Sequence, residues 1–222
     1  MASTIRRDKL DWVLAQRQPD LTVLAESLHK PRNLSAIVRT CDAVGINDIH
    51  AVPGEGGLAI HWKTSQGAEK WIKVHPHSSL DQACQHLRGR GFQLVAAHLS
   101  DKAMDYRELD YTLPTALIVS TELFGASEQA LAAADHEVMI PMMGVTQSLN
   151  VSVACAVVLY EALRQRQAAG MYGKLRLGGK SLERQRFEWL HPTVAKFCQK
   201  RKLEYPELDE EGEIIGDFPR GV

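Results

Sequence analysis

Three short apolar runs in the middle of the chain, residues 92–99, 115–121 and 137–140, constrain the fold more than any other feature. Each has the length of a strand and is apolar at nearly every position, as central parallel strands covered on both faces must be. Further strands are expected over residues 21–25, 48–52 and 71–74. Helices are expected over residues 33–44, 80–90, 127–134 and 149–167, in alternation with the strands. That order describes an α/β domain with a mostly parallel sheet flanked by helices. A chain of 222 residues, 45% of them hydrophobic, can bury such a core and still carry extensions. The division expected is a basic helix in residues 1–19, the main domain in 20–169, and a basic helical arm with an acidic tail in 170–222. Residues 181–202 carry a charged helical pattern.

The net charge of -1 argues against a nucleic-acid partner only until its distribution is examined. Arg6, Arg7 and Lys9 crowd the first helix. Between Arg164 and Lys202 come Arg166, Lys174, Arg176, Lys180, Arg184, Arg186, Lys196, Lys200 and Arg201, against Glu183 and Glu188. The compensating charge lies in the tail, at Glu204, Glu207, Asp209, Glu210, Glu211, Glu213 and Asp217, so a neutral sum conceals a basic segment. Cys41, Cys84, Cys155 and Cys198 form no C-x-x-C pair and read as reduced thiols. His75 and His77 alternate along a strand, but two histidines make no metal site, and no metal is expected. The first residues lack the apolar stretch of a signal peptide, and no apolar run is long enough for a membrane span. A cytoplasmic protein without a membrane partner is the expectation.

Ligands of such sheets gather beyond the carboxyl ends of the strands, and three segments there could carry chemistry. In the first, residues 29–40, Asn33 suits a helix N-cap and Arg39 falls six residues later, beside the basic pair Lys30 and Arg32. In the second, a buried-type strand ends in Glu122 and a turn glycine, Gly125, where a carboxylate could orient a ribose hydroxyl or a substrate amine, or merely cap the next helix. In the third, residues 140–154, a strand runs through Pro141 and Gly144 into a helix that Ser148 or Asn150 could cap. Gly54 to Ala59 also matches the G-x-G-x-x-A dinucleotide fingerprint. It lacks a placed ribose-binding acid and reads better as a surface loop.

Together, the three segments resemble the three motifs of the SPOUT superfamily of RNA 2'-O-methyltransferases. Asn33 with Arg39, Glu122 with Gly125, and Ser148-Leu149-Asn150-Val151-Ser152 stand in the family's order and spacing. The resemblance covers nearly the whole chain and is nearest the TrmH type. One position departs: the second motif usually has glycine two residues before its glutamate, and here Ser120 stands in that place.

The resemblance implies a deep trefoil knot in the C-terminal half of the domain, which chain-topology rules alone would have made very improbable. It implies a homodimer and S-adenosylmethionine (SAM) as cofactor, held around Ala97, Leu99, Glu122, Gly125, Ile140, Ser148 and Leu149. Arg39 is the family's proposed catalytic residue. A guanidinium is a poor proton acceptor at neutral pH, so its expected role is to stabilise the developing alkoxide. Asn33 would orient Arg39 or the ribose, and Glu122, Ser148 and Asn150 would shape the pocket and position substrate. Ribosomal-RNA members often carry a large added N-terminal domain, and wobble-ribose members lack a long basic arm. A tRNA substrate modified at guanosine 18 of the D-loop is therefore expected, gripped by Arg6, Arg7, Lys9, Lys30, Arg32, Lys174, Arg176, Lys200 and Arg201. Methylation of ribosomal RNA or of the tRNA wobble nucleotide is the alternative within the family. Outside it stand a nicotinamide-dependent oxidoreductase, resting on Gly54 to Ala59, and a silent RNA-binding homologue.

Overall fold

Side chains along a strand point alternately to opposite faces, so a strand roofed by helices on both sides has no position left for water. The computed structural model describes residues 4–28, 30–54, 65–120 and 126–216. Their strands are β1 (Leu21–Glu26), β2 (Asp48–Val52), β3 (Lys73–Pro76), β4 (Gln93–Ala97), β5 (Met104–Asp105), β6 (Thr115–Val119) and β7 (His136–Met139). They form one sheet in the order β3-β2-β1-β6-β4-β7-β5, and every pairing is parallel. The helices are α1 (Thr4–Gln16), α2 (Pro31–Ala43), α3 (Leu80–Gly89), α4 (Glu128–Ala133), α5 (Val151–Ala168), α6 (Gly179–Leu190) and α7 (Pro192–Arg201).

All five residues of β6 are buried, and its four apolar ones divide between two cores. Leu117 and Val119 pack with Ile37 and Val38 of α2 and Cys155 and Val158 of α5. Ala116 and Ile118 pack with Ala83 and Leu87 of α3 and Ala130 of α4. The four cysteines are buried and unbridged. Burial pushes the Cys155 thiol up to about 12, so it stays protonated and serves as packing.

One local expectation is corrected, and two details are added. Asn33 is not the cap of α2: Lys30 holds the cap position, Pro31 opens the helix, and Asn33 lies inside its first turn. Proline suits that first turn because its missing N–H would have had no intrahelical partner. The charged helical pattern of residues 181–202 forms two helices. Pro192 cannot donate to the preceding turn, so α6 ends at Leu190 and α7 begins at Pro192. Strand β5 was not anticipated; two residues carry no readable alternation.

The chain divides into two compact units, one of Gln18–Met171 and the other made of the described parts of Met1–Arg17 and Tyr172–Val222. The N-terminal helix thus belongs with the C-terminal arm, where the sequence suggested two separate extensions. Within this smaller unit Arg6 donates to the Trp189 carbonyl at 3.2 Å, Arg186 pairs with Asp11 at 2.9 Å, and the Arg17 guanidinium lies 5.1 Å from the Trp189 ring centre. Arg6, Arg17 and Arg186 are therefore engaged within this unit.

Arg166, counted with that segment, is fully buried in the larger unit. Its Nε donates to the Tyr111 carbonyl at 2.8 Å, and its Nη1 donates to Gln18 Oε1 at 3.1 Å and Asp20 Oδ1 at 2.7 Å. Its Nη2 donates to the carbonyls of Asp20 and Leu113, both at 3.0 Å. Only a planar guanidinium offers five donors in such a fork. Arg166→Met should lower the unfolding free energy by about 3–5 kcal/mol, read from urea midpoints, because partners of a buried ion pair are left unsatisfied. Arg166→Lys should recover only part of the loss.

Beside the β2–β3 edge, four imidazoles crowd together. His50 is buried at 1% exposure, its Nδ1 lies 2.8 Å from Nε2 of His77, and its ring centroid lies 5.2 Å from that of His75 and 5.4 Å from that of His86. Among the described residues no three His, Cys, Asp or Glu side chains are placed to hold a metal ion. Burial first, then the positive charge of His75, His77, His86 and Arg90, holds His50 down to about 3 from an ordinary 6.5. The unfolded chain then takes up a proton that the folded chain refuses, so stability is lost as pH falls from 6.5 toward 3. His50→Asn should flatten the fall in melting temperature across that window; an unchanged slope would show that another group governs it.

Candidate active site

The carboxyl ends of β6, β4 and β7 lie side by side and open onto one cavity of about 350 Å3. Its walls come from separate stretches of sequence: Ala97, His98 and Leu99 after β4, Val119 and Ser120 at the end of β6 with Ala126, and Val138 to Ile140 with Met142 at the end of β7. Gln147, Ser148 and Leu149 add a fourth side, and Val151, Ala154 and Val158 of α5 form the floor. The stretch after β4 is pinned to β7, since the His98 N–H donates to the Val138 carbonyl at 3.0 Å and the Ser100 hydroxyl donates to Glu137 at 2.6 Å.

Of the residues expected around the cofactor, Ala97, Leu99, Ile140, Ser148 and Leu149 all line this cavity. Glu122 and Gly125 lie outside the described residues, as does most of the Gly54 to Ala59 run. Asn33, Arg39 and Asn150 are not among the lining residues. Asn150 caps α5, accepting from the Ser152 N–H at 2.9 Å, and its Nδ2 donates to Asn33 Oδ1 at 3.4 Å, so the first and third segments meet. Ser148, the other expected cap, faces the cavity instead.

Arg39 is exposed, and its guanidinium makes no hydrogen bond among the described residues. Six residues along α2 from Asn33, it lies roughly 120° around the helix from it, so Asn33 and Arg39 face different ways. Lys9, Lys30, Arg32, Lys174, Lys200 and Arg201 are exposed, with Arg201 stacked 3.9 Å over the Phe197 ring, while Arg7 pairs with Asp8 at 3.3 Å.

Sequence reasoning missed the α5 floor, since Val151, Ala154 and Val158 look like any buried helix face. Glu26, which accepts from the hydroxyl of the lining residue Ser120 at 2.6 Å, also went unremarked, although a carboxylate ending an apolar strand was the signal that singled out Glu122.

The model of the SpoU rRNA methylase family matches residues 20–160, and that of the C-terminal segment of SpoU rRNA methylases matches residues 164–217. The chain belongs to the SpoU methylase family. It is 47% identical over 207 residues to the tRNA (guanosine(18)-2'-O)-methyltransferase of Escherichia coli K12, covering 92% of this chain and 90% of that one. With the Thermus thermophilus enzyme of the same name it shares 50% identity over 185 residues, covering 83% and 95% of the two chains. Among solved structures it resembles the Aquifex aeolicus TrmH/SpoU tRNA modifying enzyme, with a TM-score of 0.80 and 41% identity over 86% of this chain and 97% of that one. The Streptomyces viridochromogenes SpoU methyltransferase AviRb, solved in complex with the cofactor AdoMet, is 27% identical with a TM-score of 0.61, covering 68% and 62%.

Asn150 serves as cap and as bridge, and two variants separate these roles. Asn150→Asp keeps the capping oxygen and loses the amide donor, so its melting temperature should stay near that of the parent. Asn150→Ala loses the cap as well and should cost about 0.5–2 kcal/mol in chemical denaturation.

Proposed function

We propose that this protein transfers a methyl group from SAM to the ribose 2'-hydroxyl of guanosine 18 in the tRNA D-loop. The observation that carries the reading is the cavity at the carboxyl ends of β4, β6 and β7, in a chain that shares 42–50% identity with enzymes named for this reaction. About 350 Å3 falls within the range of roughly 300–1,000 Å3 usual for small-molecule sites, and the walls are of the kind an adenosine requires. Leu99, Val119, Ile140 and Leu149 offer apolar surface to a base, and Ser120, Gln147 and Ser148 offer hydrogen bonds. SAM, when bound, supplies an electrophilic methyl group on a sulfonium. Ala97, Leu99, Ile140, Ser148 and Leu149 hold it in this reading, together with Glu122 and Gly125.

A ribose hydroxyl is a weak nucleophile, so the protein must orient its oxygen and favour the negative charge that develops there. Arg39 is assigned that charge: a guanidinium stays protonated at neutral pH and donates hydrogen bonds in a fork, but does not accept the proton. A substrate phosphate or a water takes the proton. Asn33 and Asn150, joined to each other, place the start of α2 against the start of α5, and Glu122 and Ser148 position substrate. Arg6, Arg7, Lys9, Lys30, Arg32, Lys174, Arg176, Lys200 and Arg201 grip phosphates. The exposure of Lys9, Arg32, Lys174 and Lys200 supports that role.

A cytoplasmic homodimer with a knotted C-terminal half belongs to the same reading. In support of the dimer, Met143 and Val145 are almost fully exposed, and Val153 and Tyr160 of α5 about half exposed, which is costly in water without a partner. The test is methyl transfer to unmodified tRNA transcripts with mapping of the modified ribose. The methyl group should appear at guanosine 18, and methylation at a wobble ribose or in ribosomal RNA alone would overturn the assignment. Arg39→Ala should lower kcat by about 100- to 1,000-fold while SAM binding holds, and equal loss of both would make Arg39 structural.

A further inference from the structure

A carboxylate outside the three motifs sits against the cavity wall. Glu26 ends β1, is 9% exposed, and stands next to the end of β6, where Ala25 pairs with Val119. Both of its oxygens are engaged. Oε2 accepts from the Ser120 hydroxyl at 2.6 Å and, more weakly, from the Ser127 N–H at 3.5 Å; Oε1 accepts from the Ser127 hydroxyl at 2.6 Å. The Ser127 oxygen also accepts from the Ala130 N–H at 3.0 Å as the cap of α4, so its own proton is left to point at Glu26. Beyond Glu26 the chain turns sharply: Ser27 has a φ of 49°, in the left-handed region, and its N–H donates to the Val52 carbonyl at 3.0 Å. A serine persists in that conformation where surrounding contacts over-determine it.

The two serines bracket residues 121–125 in the sequence, and Ser120 and Ala126 both line the cavity. Ser120 is also the position where the family pattern usually has glycine, which could donate nothing from a side chain. We infer that Glu26 is a positioning residue for the SAM site: by clamping Ser120 and Ser127 through one carboxylate, it sets the separation of the cavity walls that Ser120 and Ala126 form. Hydroxyl bonds to an ionised carboxylate are shorter and stronger than neutral ones, and a buried carboxylate stripped of them is strongly disfavoured, so the three side chains hold as a unit. The role requires that the cavity bind SAM, and therefore rests on the proposed function.

The test uses the full chain, with the SAM dissociation constant from calorimetry, tRNA affinity from filter binding, and the melting temperature of each variant. Glu26→Ala should weaken SAM about tenfold while tRNA affinity stays within about twofold. Glu26→Gln, which can still accept from one serine, should fall between, and Ser120→Ala should weaken SAM by a smaller factor at near-parental melting temperature. A purely structural role predicts a lower melting temperature with unchanged SAM affinity in the folded protein; that result for Glu26→Ala, or for Ser120→Ala should Glu26→Ala not fold, overturns the inference. Failure of the parent to bind SAM overturns the proposed function and this inference together. Binding by the parent with no loss in the variants removes only the role of Glu26.

Discussion

The guanidinium of Arg166 ties together three separate parts of the main domain. It reaches from α5 to Gln18 and Asp20 before β1, and to Tyr111 and Leu113 before β6. Strands β1 and β6 are neighbours at the centre of the sheet, in register from Leu21 with Thr115 to Ala25 with Val119. The fork thus secures the amino ends of both, while the cavity forms at the carboxyl ends of β4, β6 and β7. A buried cation of this kind tolerates few geometries, because each donor must find its acceptor or suffer desolvation alone. Register at one end of the strands is carried along rigid backbone to the other, where Ser120 and Glu26 meet.

Order at the functional end then follows from short polar contacts. Ser100 on Glu137 fixes one wall, Glu26 between two serines fixes another, and Asn150 with Asn33 joins the starts of α5 and α2. Each contact uses a small polar side chain at the end of an apolar element. Within the strands, the hydroxyls of Thr22 and Thr115 donate to the carbonyls of Asp48 and Leu113. Rigid strands and tailored ends are a natural division for a domain that must hold a small cofactor beside a large polar substrate.

How much of this could be read from the amino acids depended on how many positions reported the same constraint. In β6 every residue answers to burial on both faces, so the strand was plain. In β5, Met104 and Asp105 report almost nothing. Ala97, Leu99, Ile140, Ser148 and Leu149 line one cavity, whereas composition and spacing alone left Ser148 as one of two possible caps. Charge was the least readable property. Arg166, Arg164, Arg184 and Arg186 belong to a conspicuous basic stretch, yet the first is buried and the others pair with Glu161, Glu188 and Asp11. A count of cations along a sequence does not know which anion each will meet in space.

The scattered origin of the cavity walls has a consequence in time. The lining begins at Ala97 and is not complete until Val158. A chain emerging from the ribosome therefore possesses most of its strands before it possesses a binding site, and no small molecule can template the early stages of its folding. The central strands and the helices against them must form on their own hydrophobic content, and the late arrival of α5 both closes the core and completes the floor on which a cofactor could rest. Synthesis, in that sense, delivers the scaffold first and the chemistry last.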